Sequence, residues 1–450
     1  MKKTITYGTF DLFHQGHYNL LKRAKDLGDY LIVGVTTDFY DKSRGKLNVH
    51  ESLMQRIENV RRSGLADEII IEEYEGQKVE DIQKYGVDIF AIGSDWKGKF
   101  DYLKEFCDVV YLDRTKGISS TQIRQEKNKI LKIGIIGAGR IAKRFVKESK
   151  YVSGIEVEGV LTNNLVSCKN FAENMELNFF TTSFAEFIQK IDAVYIASPH
   201  KTHYDYIKKS LEYGKHVLCE KPLVLCKKEL ENIYKIAKDK KLVLMEAIKT
   251  AYCPGFEKLL SIAKSGIIGE IKDVEAGFTK LYDNTNLREF DIEQAGGSVT
   301  ELASYPLFAI VKLLGKPEKV DFISQIDSIR KIDLYTKILM YYPKNIVAVG
   351  KVGLGVKTEG DLVISGTKGY VYVPAPWWKT EYFELRFEDS NKNKKYFYQF
   401  QEDGLRYEIA DFLNMVNNGI LENYKLKNEE SKIINSIICD FLSQRENLSK

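Results

Sequence analysis

Two histidines three residues apart, His14 and His17, stand where a helix is predicted to begin in YGTFDLFHQGHYNLLKRA, residues 7–24. An apolar strand and a glycine turn precede them, so they lie at a helix N-terminus, where backbone N–H groups lack partners. Imidazole donors there can stabilise the charge that develops as pyrophosphate leaves a nucleoside triphosphate. A packed histidine pair and two metal ligands are alternative interpretations, although no third ligand lies at a usable spacing.

A distant segment, RTKGISSTQIR at residues 114–124, has the composition of a second phosphate site. Arg114 precedes a Gly-Ile turn, and the hydroxyl residues Ser119, Ser120 and Thr121 follow it where another helix is predicted to open. Cations and hydroxyls at a helix N-terminus suit triphosphate oxygens. Together the two segments predict a nucleoside triphosphate site.

A third motif, GIIGAGRIA at residues 134–142, predicts a dinucleotide site. Gly137, Gly139 and Ala142 have the G-x-G-x-x-A spacing between an apolar strand and a helix, which allows a pyrophosphate to approach the backbone closely. About 20 residues further on, where an acid would bind the ribose of NAD, the chain reads LTNN. The choice between NAD and NADP therefore stays open, with a slight preference for NADP.

The elements that must position these motifs follow from hydrophobic periodicity. Short apolar runs alternate with helical segments, at about 16–27, 53–63 and 79–85 in the first third, which predicts a parallel βαβ sheet covered on both faces. The rhythm restarts after the polar bridge QEKNK, so a boundary is expected near residue 127.

We therefore expect an α/β protein with three domains. A Rossmann-like domain at 1–127 is followed by a Rossmann dinucleotide-binding domain at 131–250 and an α+β domain at 251–450. The last domain begins with a helix at about 256–265, has an open, mostly antiparallel sheet, and ends with a final helix at about 405–417.

Composition excludes several classes of protein. The net charge is +4 over 450 residues, with lysines interleaved with acids, so nucleic-acid binding is not indicated. The six cysteines form no C-x-x-C pair, which argues against a zinc site or a disulfide framework and fits a reducing cytoplasm. No secretory leader and no apolar run long enough to cross a membrane are recognised.

The segments GTFDLFHQGH, GSDWKGKFD and RTKGISST resemble the nucleotidyltransferase family typified by glycerol-3-phosphate cytidylyltransferase, over residues 1 to about 126. The resemblance implies that His14 and His17 stabilise the transition state at the α-phosphate of CTP, which is bound with Mg²⁺. It implies that Lys46 and Arg114 neutralise phosphate, and that Arg56 occupies a basic position of the family. It further implies that the nucleotide and acceptor contact Gly8, Thr9, Phe10, Gly93, Asp95, Trp96, Ser119, Ser120 and Thr121. Residues 41–52, with Arg44 and one extra residue, and Ser94 depart from the family pattern, which leaves the acceptor open.

From residue 132 onward the chain resembles the GFO/IDH/MocA oxidoreductases, on GIIGAGRIA, on SPHKTHYDYIKKSLEYGKHVLCEKPL and on GGSVTELASYPLF. The resemblance implies that Lys221 of the EKP segment contacts the substrate oxygen and that Tyr305, with its pKa lowered by a nearby lysine, donates the proton when a carbonyl is reduced. A surface lysine and a core tyrosine are the alternative interpretations. The implied cofactor contacts are Gly137, Gly139, Arg140, Ile141, Thr162, Asn163, Ser198, Pro199, His203 and Glu220. Glu301 and Ala303 depart from the family's usual aspartate and glycine.

The combination predicts a bifunctional enzyme. A keto or aldehyde sugar phosphate would be reduced with NAD(P)H to a polyol phosphate, which CTP would then activate as a CDP-alditol for a surface polysaccharide or teichoic-acid-like polymer. The alternative is a cytidylyltransferase whose oxidoreductase-like part is a scaffold or cofactor sensor, and adenylyl transfer is disfavoured. The expected partners are small molecules, without nucleic acid or membrane insertion, and the open sheet favours a homo-oligomer.

Overall fold

The computed structural model describes residues 1–43, 49, 51–74, 76–113, 130–398 and 402–448. The chain divides into two compact units, the first at Met1–Ile130 with Tyr151–Gly154 and the second at Leu131–Lys150 with Ile155–Lys450. The boundary that the sequence predicts near residue 127 lies outside the described residues.

The first unit is built on five parallel strands in the order β3-β2-β1-β4-β5. Residues of β2 alternate between two cores: Leu31, Val33 and Val35 pack on one face of the sheet and Ile32 on the other. The predicted parallel sheet with both faces covered is therefore confirmed. The strands are β1 (Lys3–Gly8), β2 (Tyr30–Thr36), β3 (Glu68–Glu72), β4 (Ile89–Gly93) and β5 (Asp108–Leu112), and the helices are Gln15–Lys25, Asp38–Ser43, Leu53–Arg62 and Gln77–Tyr85.

The strand order of this sheet reverses between β1 and β4, which lie side by side. Chains leaving the two strands diverge at such a point, and the resulting crevice outside their carboxyl ends is where ligands of open α/β sheets bind. The loop at residues 9–14 follows β1, and the short 3₁₀ helix Ser94–Trp96 follows β4. Two of the three segments that the sequence assigns to the nucleotide therefore lie at this crevice, and the third, RTKGISST, lies outside the described residues.

The second unit begins with six parallel strands in the order β11-β10-β9-β6-β7-β8. Apolar residues of these strands pack with the flanking helices into a buried core that includes Val194, Ile196 and Val217. The strands are β6 (Leu131–Ile136), β7 (Ile155–Leu161), β8 (Phe179–Thr181), β9 (Ala193–Ile196), β10 (His216–Glu220) and β11 (Leu244–Ala247), and the helices are Arg140–Ser149, Leu165–Met175, Phe184–Gln189, His203–Glu212 and Lys227–Lys240.

An eight-stranded sheet follows in the same unit, after the helix Pro254–Lys264, in the order β13-β14-β15-β12-β16-β17-β18-β19. Its neighbouring strands are antiparallel except for β12 and β15, so the predicted open, mostly antiparallel sheet is confirmed. Two helices, Ser298–Leu302 and Ser304–Leu314, lie in the chain between β12 and β13. The strands are β12 (Ile271–Thr279), β13 (Lys319–Ile326), β14 (Asp333–Tyr342), β15 (Ile346–Gly353), β16 (Leu362–Gly366), β17 (Tyr370–Val373), β18 (Tyr382–Arg386) and β19 (Lys394–Phe397).

The C-terminal region differs from the prediction. The helix expected at about 405–417 is present as Leu405–Asn418, but it is not the last, because a longer helix, Asn428–Leu448, follows. Ile434, Ile438 and Phe441 of this helix are buried, and their spacing is that of one helical face. Among the described residues, no helix is both long and apolar enough to cross a membrane.

A buried glutamate fastens the last helix to the parallel sheet. Glu246 in β11 accepts hydrogen bonds from the Asn435 side chain, at 3.0 and 2.9 Å, and from the Ser431 hydroxyl. The side-chain amide oxygen of Asn435 in turn accepts a hydrogen bond from the Leu223 backbone N–H at 2.9 Å. Burial raises the pKa of Glu246 from its ordinary value of 4.5 to about 7, against the lowering effect of these donors.

The substitution Glu246→Gln tests this attachment. Because the pKa is higher in the folded protein, the stabilisation is complete below pH 4.5 and is lost as the pH rises through about 7. The shift corresponds to about 3 kcal/mol. We expect the free energy of unfolding of wild type to fall by about that amount, relative to the glutamine variant, between about pH 4.5 and pH 7. The loss of stability is measured by hydrogen exchange of peptides from Asn428–Leu448 across the same pH range.

The matched control is the exposed Glu388→Gln, which should follow wild type at every pH. An identical pH dependence for wild type and Glu246→Gln would contradict the assignment.

Candidate active sites

His14 forms the N-cap of the helix Gln15–Lys25. Its Nδ1 accepts a hydrogen bond from the Gly16 backbone N–H at 2.9 Å. A neutral imidazole that accepts at Nδ1 carries its proton at Nε2, so the second ring nitrogen is the donor. The cap therefore fixes the tautomer that can donate to a phosphate oxygen.

His17 lies one turn further and stacks on His14. The ring centroids are 3.9 Å apart and the rings are inclined by 20°. The edge of Phe10 packs against His17 with a centroid distance of 5.5 Å. The structure thus brings together the two histidines that the spacing predicts, and aromatic packing restricts the orientation of the second.

The loop between β1 and His14 is held by Arg56, whose side chain is fully buried. Its guanidinium donates to the carbonyl oxygens of Thr9 and Thr36 at 2.8 Å each and pairs with Asp38. The Asp41 carboxylate lies 3.7 Å from the same group. Arg56, which the sequence assigns only to a basic position of the family, is therefore a positioning residue that joins the carboxyl ends of β1 and β2.

Other predicted contacts of the first site support the loop rather than face a ligand. Thr9 is buried and donates its hydroxyl to Asp41 at 3.0 Å, and the Phe10 side chain is also buried. A Cβ at Gly8 would come within 3.0 Å of the Phe10 ring, so glycine is needed there for close packing. The side chains of Thr9 and Phe10 therefore pack within the loop.

On the neighbouring strand, Gly93 ends β4 and Trp96 lies in the 3₁₀ turn that follows. Trp96 is 37% exposed, and the Lys99 ammonium lies 5.1 Å from its ring centroid. The side chain of Asp95 and the whole of five predicted site residues lie outside the described residues: Lys46, Arg114, Ser119, Ser120 and Thr121.

We expect Arg56→Met to destabilise the first unit, because two carbonyl oxygens and two carboxylates lose their cation. Breaking a buried ionic network costs about 3 kcal/mol or more, which is roughly a hundredfold in an unfolding equilibrium. Hydrogen exchange of peptides from β1 and β2 should accelerate accordingly. Arg61→Met removes an arginine that is 65% exposed on the same helix, and it should leave exchange unchanged. Equal exchange in the two variants would refute the role of Arg56.

The second unit contains a cavity of about 1060 Å³ at the carboxyl ends of its parallel strands. Its wall is made by the glycine turn after β6, the ends of β7, β9 and β10, and residues of the following α+β part. Nearly all the predicted residues of this site line it: Gly137, Gly139, Arg140, Ile141, Thr162, Asn163, Ser198, Pro199, Glu220, Lys221 and Tyr305.

The two glycines of the turn have different roles. Gly137 has φ +107°, and a Cβ there would lie 2.5 Å from the Ala197 carbonyl oxygen, so the chain can turn only at a glycine. Gly139 is the N-cap of the helix Arg140–Ser149, and a Cβ there would meet no atom within 4 Å. The open space above the helix N-terminus suits a dinucleotide pyrophosphate.

Lys221 is fixed between the two parts of the second unit. Its ammonium donates to the Glu301 carbonyl oxygen at 2.7 Å and lies 5.9 Å from the ring centroid of Tyr305. The Glu301 carboxylate receives both terminal nitrogens of Arg288, at 3.1 and 3.3 Å. Burial raises the pKa of Glu301, and the charges of Lys221 and Arg288 oppose this rise.

The expectation that a lysine lowers the pKa of Tyr305 is wrong. Burial raises the pKa of Tyr305 well above its ordinary range, and Glu220 and Glu408 raise it further. The carboxyl groups from β10 and from the helix Leu405–Asn418 raise the pKa of Tyr305 by more than the lysine lowers it. Tyr305 is therefore a neutral hydroxyl donor.

The placement of His203 at the nicotinamide is also corrected. His203 is fully buried and is not among the residues that line the cavity. Its ring nitrogens lie 2.9 Å from the carbonyl oxygens of Ser198 and Pro222, so it positions the two wall segments. His200, which directly follows Pro199, lines the cavity instead, with Nδ1 3.7 Å from the Glu301 carboxylate.

The ionisable lining residues that the sequence analysis did not assign to this site include His200, Lys249, Arg288 and Glu408. His200 could have been found from its place in SPH beside Pro199. The other three stand in segments with no motif. Among the described residues, no cluster of His, Cys, Asp or Glu side chains could hold a metal ion.

Comparison with known proteins agrees with this division. The family described as cytidylyltransferase-like matches residues 5–126, the oxidoreductase family with an NAD-binding Rossmann fold matches 131–248, and the GFO/IDH/MocA C-terminal domain matches 256–372. Glycerol-3-phosphate cytidylyltransferase of Bacillus spizizenii is 56% identical over 126 residues, which are 28% of this chain and 97% of that protein. The chain belongs to the cytidylyltransferase-like and GFO/IDH/MocA oxidoreductase families.

Relatives of the oxidoreductase part are more distant. Trans-1,2-dihydrobenzene-1,2-diol dehydrogenase of Sus scrofa is 27% identical over 321 residues, covering 68% of this chain and 95% of that protein. The crystal structure of a 3-ketoreductase from Actinomadura kijaniata in complex with NADP and TDP-benzene superimposes with a TM-score of 0.62 at 21% identity, covering 68% of this chain and 95% of that one. The chain is thus a fusion of a cytidylyltransferase domain with an NAD(P)-dependent oxidoreductase.

A pair of glycine substitutions tests the geometry of the oxidoreductase turn. Gly137→Ala should cost about 1–3 kcal/mol through backbone strain, with a further cost from the clash at Ala197. Gly139→Ala should leave the thermal midpoint unchanged and should weaken dinucleotide binding, because the added methyl group occupies the open space. Thermal unfolding without ligand and calorimetric titration with NADPH separate the two effects. An unchanged midpoint for Gly137→Ala would contradict this geometry.

Proposed function

We propose that the oxidoreductase part reduces a keto sugar phosphate to an alditol phosphate and that the cytidylyltransferase domain joins this product to CTP, giving a CDP-alditol and pyrophosphate. The observation that carries the proposal is the presence, in one chain, of the stacked pair His14 and His17 and of the cavity holding Lys221 beside the glycine turn.

In the cytidylyl step, an oxygen of the alditol phosphate attacks the α-phosphate of CTP and pyrophosphate leaves. We infer that Nε2 of His14, whose tautomer the helix cap fixes, donates to the phosphate oxygens as charge develops on them, and that His17 acts beside it. Mg²⁺ enters with the triphosphate in this proposal. Lys46, Arg114 and the hydroxyl residues of ISST are proposed to complete the site.

In the reductive step, bound NAD(P)H supplies the hydride. The Lys221 ammonium, held by the Glu301 carbonyl oxygen, is positioned to orient the substrate carbonyl oxygen. Tyr305 supplies the proton in our proposal. Its raised pKa does not prevent this, because the alkoxide left by hydride addition is a stronger base than a tyrosinate.

We favour NADP(H) over NAD(H). No carboxylate follows β7, where Thr162 and Asn163 line the cavity, so no like charge repels a 2′-phosphate. The related ketoreductase from Actinomadura kijaniata crystallised in complex with NADP, which supports the same choice.

A ketose phosphate such as ribulose 5-phosphate fits the proposed substrate class, and the product would serve a surface polysaccharide or teichoic-acid-like polymer. The three domains proposed are 1–127, 131–250 and 251–450. Joining enzymes that share an anionic intermediate raises its local concentration at the second site.

The alternative, an oxidoreductase-like scaffold or cofactor sensor, rests on Glu301 and Ala303, which depart from the family's pattern. The bidentate pair of Glu301 with Arg288 occupies the wall of the cavity. If that pair fills the position of the family's aspartate without its function, dinucleotide would bind and no sugar phosphate would be reduced.

Two variants of the full chain test the proposal. His14→Asn keeps a side chain that caps the helix and loses the Nε2 donor, so it should remain folded and lose cytidylyl transfer by about a hundredfold or more. Lys221→Met should lose NADPH oxidation to a similar extent and keep pyrophosphate release. The assays use CTP with Mg²⁺ and alditol phosphates, and NADPH with a panel of three- to six-carbon ketose phosphates.

Each variant serves as the control for the other, because the two substitutions lie in separate compact units. Loss of both activities in either variant, with the fold retained, would refute independent sites. Dinucleotide binding without reduction of any ketose phosphate would establish the scaffold alternative.

A further inference from the structure

Two glutamates from distant segments line the oxidoreductase cavity together. Glu220 ends β10, and Glu408 lies in the first turn of the helix Leu405–Asn418. Glu408 is fully buried, whereas Glu220 is partly exposed. The EKP motif accounts for Glu220, but no motif accounts for a carboxyl group at position 408.

The two carboxyl groups differ in their hydrogen bonds. The Tyr195 hydroxyl donates to Glu220 at 2.7 Å. Neither side-chain oxygen of Glu408 has a hydrogen-bond partner among the described residues. Burying an ionised carboxylate without hydrogen bonds has a large free-energy cost, whereas a protonated carboxyl group carries no net charge. Of the two, Glu408 is therefore the group that holds a proton.

The surrounding charges also favour a proton on Glu408 rather than on Glu220. Burial raises the pKa of Glu408 well above its ordinary value, and the charges of Glu220 and Glu148 raise it further while Lys249 opposes them. The pKa of Glu220 is also raised by burial, but Lys221, Lys249 and the Tyr195 hydroxyl oppose that rise. An ionised Glu220 therefore disfavours ionisation of Glu408. The titratable and charged groups around the pair are Glu148, Tyr195, Lys221, Lys249, Tyr252, Cys253, Tyr305 and Asp403.

We propose that Glu408 and Glu220 share one proton at neutral pH and that this carboxyl pair returns a proton to Tyr305 after each reduction. The second half of the proposal rests on the reductive function proposed above. Glu408, which lies outside the motifs of the site, thereby has a role in the reduction.

The proton balance is complete. A hydride adds to the carbonyl carbon and brings the electron pair from the reduced nicotinamide, which becomes oxidised. The C=O π bond breaks, and its oxygen takes the proton of the Tyr305 O–H bond. The tyrosinate takes a proton from Glu408 through water in the cavity, because no hydrogen bond joins the two side chains among the described residues, and the carboxyl pair regains a proton from solvent. Each turnover thus consumes one proton from solvent.

A tyrosinate beside this pair is unstable. Glu220, the ionised member of the pair, raises the pKa of Tyr305, so a negative charge on the phenolate is repelled until a proton returns. The same electrostatics that make Tyr305 a weak acid therefore make its return to the neutral form favourable. Removing the ionisable group at position 408 removes the proton source.

The first test uses the ligand-free full chain. The infrared difference between wild type and Glu408→Gln at neutral pH should contain the C=O stretching band of one protonated carboxylic acid. Titration of wild type should remove this band at alkaline pH. Glu422→Gln, an exposed glutamate of the same unit, should give a difference without that band. Because Glu246 also holds a proton near neutral pH, absence of the band from the difference between wild type and folded Glu408→Gln would overturn the shared proton.

The second test is the pH profile of NADPH oxidation. Glu408→Gln should lower kcat by about tenfold, change KM little and abolish the alkaline limb that titration of the pair produces. A profile that superimposes on that of wild type would overturn the relay. If no ketose phosphate is reduced, the reductive function fails and the relay fails with it, while the infrared result still decides the shared proton.

Discussion

The hydrogen bond from the Lys221 ammonium to the Glu301 carbonyl oxygen is the contact on which the oxidoreductase site depends. It joins the end of β10 to the short helix Ser298–Leu302, so a residue of the parallel sheet and a segment leading to Tyr305 are held in one geometry. The last carbonyl groups of a helix lack partners within it, and here one of them accepts a hydrogen bond from a partly buried ammonium group. The Glu301 side chain is then directed to Arg288, and the two interactions organise one wall of the cavity.

Buried charges also attach the C-terminal helices to the second unit. Glu148 accepts the backbone N–H groups of Asp403 and Arg406 at 3.1 and 3.0 Å, and so caps a helix from another part of the chain. Arg445 near the end of the last helix pairs with the buried Asp333 at 3.0 Å. A buried charge that loses its partner is costly, so each pair favours a single docking of its helix. The cap at Glu148 also sets the position of the first turn, which contains the carboxyl group at 408.

Local patterns predicted the elements and motifs well, because those depend on neighbouring residues. The helices Gln15–Lys25, Leu53–Arg62 and Gln77–Tyr85 lie close to the helical segments predicted at about 16–27, 53–63 and 79–85, and the glycine turn lies between strand and helix as expected. Features that depend on residues far apart in sequence were missed or wrong. Arg288 and Glu408 reach the cavity only through tertiary packing, and the pKa direction of Tyr305 depends on acids that no local pattern associates with it. The helix Asn428–Leu448 is the exception, because its apolar spacing was visible in the sequence.

The two candidate sites use helix N-termini in different ways. At the first, the His14 side chain accepts the Gly16 N–H, so that backbone donor is already satisfied, and in the proposed reaction the imidazoles contact the phosphate. At the second, Gly139 caps its helix without a side-chain hydrogen bond, and the glycine turn and the start of the helix line the cavity. A donor on a side chain can follow the movement of charge in a phosphoryl transfer, whereas fixed backbone donors suit a cofactor whose pyrophosphate does not react. The difference between a capping histidine and a glycine therefore matches the chemistry proposed for each domain.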